Sequence, residues 1–278
     1  MKKLLALLLV MSTLLIAFSP LYDAAANDRY PHFLENNRSR YEAFQIKNPD
    51  LPLDKVIAYV NAHVDFGFYN QIVTVDDPDS ISVLVNKNFA LPSGYVPSLV
   101  SVGGSYRLRS EAAQHFTKMK TDMNDLGYKI HIMAAYRTYQ TQANRYSNAL
   151  RRSGRASADR QFARAGHSEH QTGLAIDVLH IGGFEFMQHS DFHNTPEFAW
   201  LTENAHRFGF ILRYPQEYRD IHGFIFEPWH WRYIGVFNAT AMYLEGIRVF
   251  EEFYGRYLAP DILTKWETEP IPWGRLCW

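Results

Sequence analysis

Cysteine is almost missing from this chain. Cys277 is the only one, so no disulfide can close within the chain, and any exported form must be held by its core or by a metal. Cys277 also lies far into the tail, with no partner base near it in sequence, which argues against a thiol nucleophile. No cysteine sits near the start to carry a lipid anchor. Charge of one sign is lacking too: a net charge of -1 gives no case for nucleic acid as a partner. The longest apolar run, Leu4 to Phe18, falls short of the roughly 20 residues a bilayer span requires. The HExxH helix of the common zinc proteases is absent. No internal repeat or low-complexity segment is present either. A hydrophobic fraction of 47% and a charged fraction of 21% describe an ordinary globule.

What is present begins with a leader. Lys2 and Lys3 precede the apolar run, and Ala24-Ala25-Ala26 offers small residues for cleavage, so residues 1–26 read as a secretory signal peptide. An uncleaved leader serving as a membrane tether is the alternative. Export without disulfides suits a bacterial cell-wall compartment. The remaining chain divides into an N-terminal extension over 27–81, a main domain over 82–257 and a tail over 258–278.

The chemistry is concentrated in two short stretches. Ser168-Glu169-His170-Gln171-Thr172-Gly173-Leu174-Ala175-Ile176-Asp177 is followed some fifty residues later by Glu227-Pro228-Trp229-His230. Together they offer two imidazoles and a carboxylate to one divalent metal, with Glu227 as a spare carboxylate. Three protein ligands and an open position distinguish a catalytic zinc site from a closed structural one. The spare carboxylate is what such a site needs to take a proton from water. Against this stands the plainer view that these are packing histidines, since the chain has 12.

Local patterns place these residues. Gly173 between His170 and Asp177 favours a turn into a strand over Leu174 to Val178, with Ala175 and Asp177 on one face. Gly223 to Tyr233 reads as a strand broken at Pro228, a break that turns Glu227 and His230 toward one cavity. Asn27 to Pro52 reads as irregular, and Leu53, Val56, Ile57 and Val60 as a helix face. Val73 to Val85 suggests an edge strand and a turn at Pro78. Ser110 is expected to cap a helix ending at Gly127, and Tyr128 to Ala135 to form a strand delivering Arg137. Thr138 is expected to cap a helix through Leu150, before a basic loop over Arg151 to Arg164. Thr195-Pro196 opens a further helix ending near Gly209, Phe210 to Tyr214 a strand, and Val236 to Tyr257 a closing helix. The fold class is α+β, with a mostly antiparallel sheet flanked by helices. Trp231 is expected to pack away from His230, and Trp229 either to line the cleft or to brace His230.

The two stretches resemble the SxHxxGxAxD and ExxH signatures of the VanY-type D-alanyl-D-alanine carboxypeptidases, relatives of the lysostaphin-like peptidases and the hedgehog domain. Ala135-Tyr136-Arg137-Thr138-Tyr139-Gln140-Thr141-Gln142 is similar to their GYRSYxxQ segment, and the likeness runs from about Ser82 to Tyr254. It also takes in Arg213-Tyr214-Pro215 and Arg232-Tyr233-Ile234-Gly235. The resemblance implies a hedgehog/D,D-peptidase-like fold with its zinc site on the sheet, and one Zn2+ per chain. It implies His170, Asp177 and His230 as zinc ligands and Glu227 as general base. Arg137 is implied to bind the substrate carboxylate or the developing oxyanion. Ser168, Gln142, Tyr136 and Trp229 are the implied substrate contacts. The implied partner is the peptidoglycan stem peptide, either a pentapeptide ending in D-Ala-D-Ala or a tetrapeptide, cleaved by a monomeric enzyme. A non-catalytic wall-binding or signalling module is the rival expectation. Ala135, Thr138 and Ala165 depart mildly from the family pattern, and Gln216 to His222 departs strongly, which puts substrate preference rather than zinc chemistry in question.

Overall fold

A computed structural model describes residues 26–180 and 189–261. Residues 1–25 of the signal peptide expected over 1–26, and residues 262–278 of the tail expected over 258–278, Cys277 among them, lie outside the described residues. Among the described residues no helix is long and apolar enough to cross a membrane. The described residues form two compact units, one of residues 26–65 together with 252–261, the other of the described residues between Phe66 and Glu251.

In the first unit, α1 (Arg38–Lys47) and α2 (Leu53–Asn61) pack around Phe33, Tyr41, Val56, Ile57 and Val60. The spacing predicted for α2 is therefore its buried face. The stretch 27–52 is not irregular as expected. Tyr41 and Gln45, one turn apart, are the buried side of α1, a stripe too narrow to stand out among its charged neighbours. Buried Asn61 closes the unit, donating to the carbonyls of His32 and Gly255 and accepting from the Tyr41 hydroxyl at 2.7 Å.

The second unit is α+β. Two short pairs lead it: β1 (Val73–Thr74) runs parallel to β2 (Phe89–Ala90), and β3 (Val100–Gly103) antiparallel to β4 (Tyr106–Leu108). The edge strand expected over Val73 to Val85 is thus only its first two residues. Asp77 then accepts from the amides of Asp79 and Ser80, making the turn around Pro78. The main sheet holds β5 (Ile130–Ala134), β6 (Ala175–His180), β7 (Phe210–Leu212) and β8 (His230–Tyr233) in the order β5-β6-β8-β7, antiparallel throughout. The helix α3 (Ser110–Asp125) lays Ala112, Phe116, Met119 and Met123 into one core with Ile130, Ile176, Val178, Phe210 and Trp231. Burying each large apolar side chain there contributes roughly 1.5–3 kcal/mol. Trp231, 1% exposed, belongs to this core as expected.

Four local expectations need correction. Ser110 is the first residue of α3 rather than its cap, and its hydroxyl accepts from the Gln114 side chain instead of a backbone amide. The basic stretch 151–164 is mainly helix, because α4 (Tyr139–Gln161) continues through it across a kink at Gly154, where φ is 71°. The caps at Thr138 and Thr195 do form, accepting from the amides of Thr141 and Phe198 in front of α4 and α5 (Pro196–Asn204). The closing helix is two helices, α6 (Val236–Leu244) and α7 (Phe250–Tyr257), separated where Gly246 turns left-handed at φ 67°. Finally, the strand expected from Gly223 starts only at His230, since Pro228 has no N–H for a ladder and a turn closes from the His230 amide to the Glu227 carbonyl at 3.0 Å.

Candidate metal centre

The sheet register brings the sequence stretches together. Asp177 on β6 stands directly opposite His230 on β8, so both side chains leave the same face. His170 arrives from the 3-10 turn Glu169–Thr172 just before β6, which ends at Gly173 in a left-handed conformation with φ 69°. A Cβ on Gly173 would meet Leu99 at 2.8 Å, so both backbone angle and space call for glycine. The amide of Arg137 donates to the His170 carbonyl at 3.1 Å, fastening the turn to the chain leaving β5.

Nδ1 of His170 lies 2.6 Å from the Ala135 carbonyl, to which it can only donate, leaving Nε2 as the free lone pair, 3.2 Å from Asp177 Oδ1. Nδ1 of His230 lies 2.9 Å from the same oxygen. One ligand atom from each of the three residues falls within 4.8 Å of the others, and all three residues are buried. Two imidazole nitrogens and a carboxylate oxygen, held this close with their outer atoms already bonded, fit a single Zn2+. Among the described residues no other group of His, Cys, Asp and Glu is arranged this way.

Electrostatics follows from burial and from these bonds. Burial, with the charge of Arg137, pushes the His170 pKa down to about 4. Burial acts in the same sense on His230, but hydrogen bonds to Asp177 and Glu169 outweigh it and raise its pKa to about 9. Burial would raise Asp177, yet both imidazoles hold it well below the usual carboxylate range. Glu227 sits with Oε2 4.0 Å from His230 Nδ1, and burial lifts its pKa to about 7.

A cleft of about 540 Å3 opens over the triad, walled in part by Gln142, Arg145, Phe162, Ser168, Tyr214 and Trp229. Arg137 also lines it and donates from Nη2 to Asp177 Oδ2 at 2.9 Å. Gln142 is buried and donates to the Ala163 carbonyl, and Ser168 is buried at the cleft wall. Trp229 lines the cleft, the first of its two expected placements, and packs on the sheet core. Tyr136, next to Arg137 on the chain leaving β5, donates its amide to the Arg107 carbonyl at 3.0 Å. His167 bonds the Asn86 carbonyl at 2.8 Å and stays outside the triad.

The sequence reading missed what lies beneath the triad. Glu169 is fully buried, and its Oε1 accepts from Arg213 Nε and Arg232 Nη1, each at 2.8 Å. Arg213 also grips Glu251 with both Nη atoms, at 3.0 and 2.7 Å. Both arginines stand in segments already singled out, but an acid next to a ligand has no spacing of its own to mark it.

Comparison with known proteins agrees with this geometry. Residues 105–236 match the VanY family, D-alanyl-D-alanine carboxypeptidase. The chain is 36% identical over 192 residues to YodJ of Bacillus subtilis (strain 168), covering 65% of this chain and 69% of that protein. The structure of the LdcB LD-carboxypeptidase superposes with a TM-score of 0.62 at 34% identity, covering 66% of this chain and 90% of that one. A vancomycin-resistance D,D-pentapeptidase VanY mutant in complex with Zn(II) matches at a TM-score of 0.54 and 29% identity, covering 62% and 97%. With the triad, the sheet and these relatives in agreement, this chain belongs to the VanY family of D-alanyl-D-alanine carboxypeptidases.

Proposed function

We propose that the protein is a zinc-dependent D,D- or L,D-carboxypeptidase that removes the C-terminal D-alanine from peptidoglycan stem peptides. The observation that carries this reading is the buried His170–Asp177–His230 triad on the cleft floor, with Glu227 4.0 Å from His230. When bound, Zn2+ supplies Lewis-acid polarisation of the scissile carbonyl and favours ionisation of water. Glu227 takes a proton from the attacking water and delivers it to the departing amine of D-alanine as the C–N bond breaks. A pKa of about 7 suits both halves of that task. Arg137, fixed by Asp177, donates to the carbonyl oxygen as negative charge develops there. Ser168 and Gln142 give polar contacts to the peptide, and Trp229 gives it a flat wall.

A peptidoglycan substrate supports a location in the bacterial cell wall or outside the membrane, and the same proposal takes the enzyme as a monomer, released from the expected leader or tethered by it. A binding or signalling module without turnover has no use for a proton carrier of raised pKa, so Glu227 favours the enzyme.

Mass spectrometry of muropeptides incubated with the full chain tests this reading. Products shorter by one alanine are expected, lost with a chelator and restored by Zn2+. Their parent, pentapeptide or tetrapeptide, identifies the preferred bond. Muropeptides bound but left intact would instead support the module.

A further inference from the structure

Two guanidinium groups line the cleft, and their surroundings differ. Arg137 is bonded to Asp177 beside the triad. Arg145 lies one turn beyond Gln142 on α4, on the same helix face, and no described residue forms an ion pair or hydrogen bond with it. Its guanidinium carbon is 5.9 Å from the centroid of the Phe162 ring, itself part of the cleft wall. Burial of that charge, and the nearness of Arg137, lower its pKa, while Asp177 and Glu227 act in the opposite sense. The residue as a whole is exposed, so it stands at the cleft's rim, with its cation turned toward the site and unmatched by an acid. A partly desolvated cation of this kind is unfavourable until an anion meets it.

The reaction supplies such an anion. A peptide that loses its last residue carries its carboxylate one residue past the scissile carbonyl, roughly 3.5 Å along the chain. Arg137, held against Asp177, is positioned for the carbonyl oxygen at the metal centre, which leaves the carboxylate to a second cation farther out. Resting on the carboxypeptidase reading above, we infer that Arg145 anchors the terminal carboxylate of the substrate and thereby confines the enzyme to the last residue of the peptide. Arg145 then acts in binding and specificity, and Arg137 in the chemical step. The Phe162 ring lies beside the guanidinium, whose planar fork suits a carboxylate with two parallel hydrogen bonds.

The test uses the zinc-loaded full chain and two stem peptides that differ only in ending as the free acid or the amide of D-alanine. Arg145→Gln is expected to raise KM for the free acid roughly 10–100-fold while kcat stays within about threefold, the pattern of a lost ground-state contact. Preference for acid over amide should collapse, and Arg145→Lys should recover part of it. An unchanged KM, or equal losses on acid and amide, would overturn the assignment. Calorimetry in a Glu227→Gln background reads binding without turnover. There, tighter binding of the acid than of the amide should require Arg145, and a preference that survives Arg145→Gln counts against the anchor. If the unsubstituted chain cleaves neither peptide, the carboxypeptidase reading fails separately, and the calorimetric comparison still decides the role of Arg145. Equal zinc content and far-ultraviolet circular dichroism across the variants confirm that the fold is intact.

Discussion

Glu169 Oε2 lies 3.3 Å from His230 Nε2, while Asp177 Oδ1 lies 2.9 Å from Nδ1 of the same ring. Both nitrogens of this imidazole are therefore engaged by carboxylates, one at the triad and one beneath it. A carboxylate behind a ligand histidine fixes its tautomer and orientation and raises its basicity. Glu169→Gln keeps the volume but not the charge, and zinc affinity should fall roughly 10–100-fold. Competition against a calibrated chelator measures this, and unchanged affinity would remove Glu169 from any orienting role.

Acid stability gives a second test of the same residue. Burial would raise the Glu169 pKa from 4.5, but Arg213 and Arg232 outweigh burial and hold it far lower. A depressed folded-state pKa stabilises the protein above the unfolded value, and that contribution is lost as pH falls through about 4.5 and below. In urea titrations of metal-free protein, the gap between wild type and Glu169→Gln should be widest near neutrality and shrink below pH 4.5. Curves that stay parallel down to pH 3 would contradict the argument.

Zinc uptake should release protons. Without metal, His230 has a pKa of about 9, because its bonds to Asp177 and Glu169 outweigh burial. A ligand imidazole must give up that proton, so binding at pH 8 should release at least about one proton per chain, and affinity should weaken as pH is lowered. Calorimetric zinc titrations in two buffers of different ionisation enthalpy count the protons. Uptake with no proton released would show that His230 is not a ligand.

Gly173 is the hinge between the first imidazole and the strand carrying Asp177. Gly173→Ala places a side chain at φ 69° and against Leu99, and should lower stability by roughly 1–3 kcal/mol. Thermal unfolding reads this directly. A melting temperature equal to that of the wild type would mean that the turn relaxes freely.

Much of the site was legible because its geometry is local. Alternation along Leu174 to Val178 put Ala175 and Asp177 on one face, and β6 (Ala175–His180) has that arrangement. Pro228 announced a break, and the turn at Glu227 to His230 is that break. Less legible was whatever depends on partners distant in sequence. Glu169 meets Arg213, Arg232 and His230 across separations of 44, 63 and 61 residues, and no pattern around any one of them advertises the meeting. The second half of α4 was obscured differently. It buries little beyond Ala158, so hydrophobic periodicity was silent, although its Arg, Ala and Gln residues are good helix formers.

The most direct test of the account compares zinc content with D-alanine release in wild type and Glu227→Gln. The account predicts one zinc per chain in both proteins, release by the wild type that a chelator abolishes, and a rate reduced roughly 10²–10⁴-fold in Glu227→Gln. Wild-type turnover in the Glu227→Gln protein, or undiminished release from metal-stripped wild type, would contradict it.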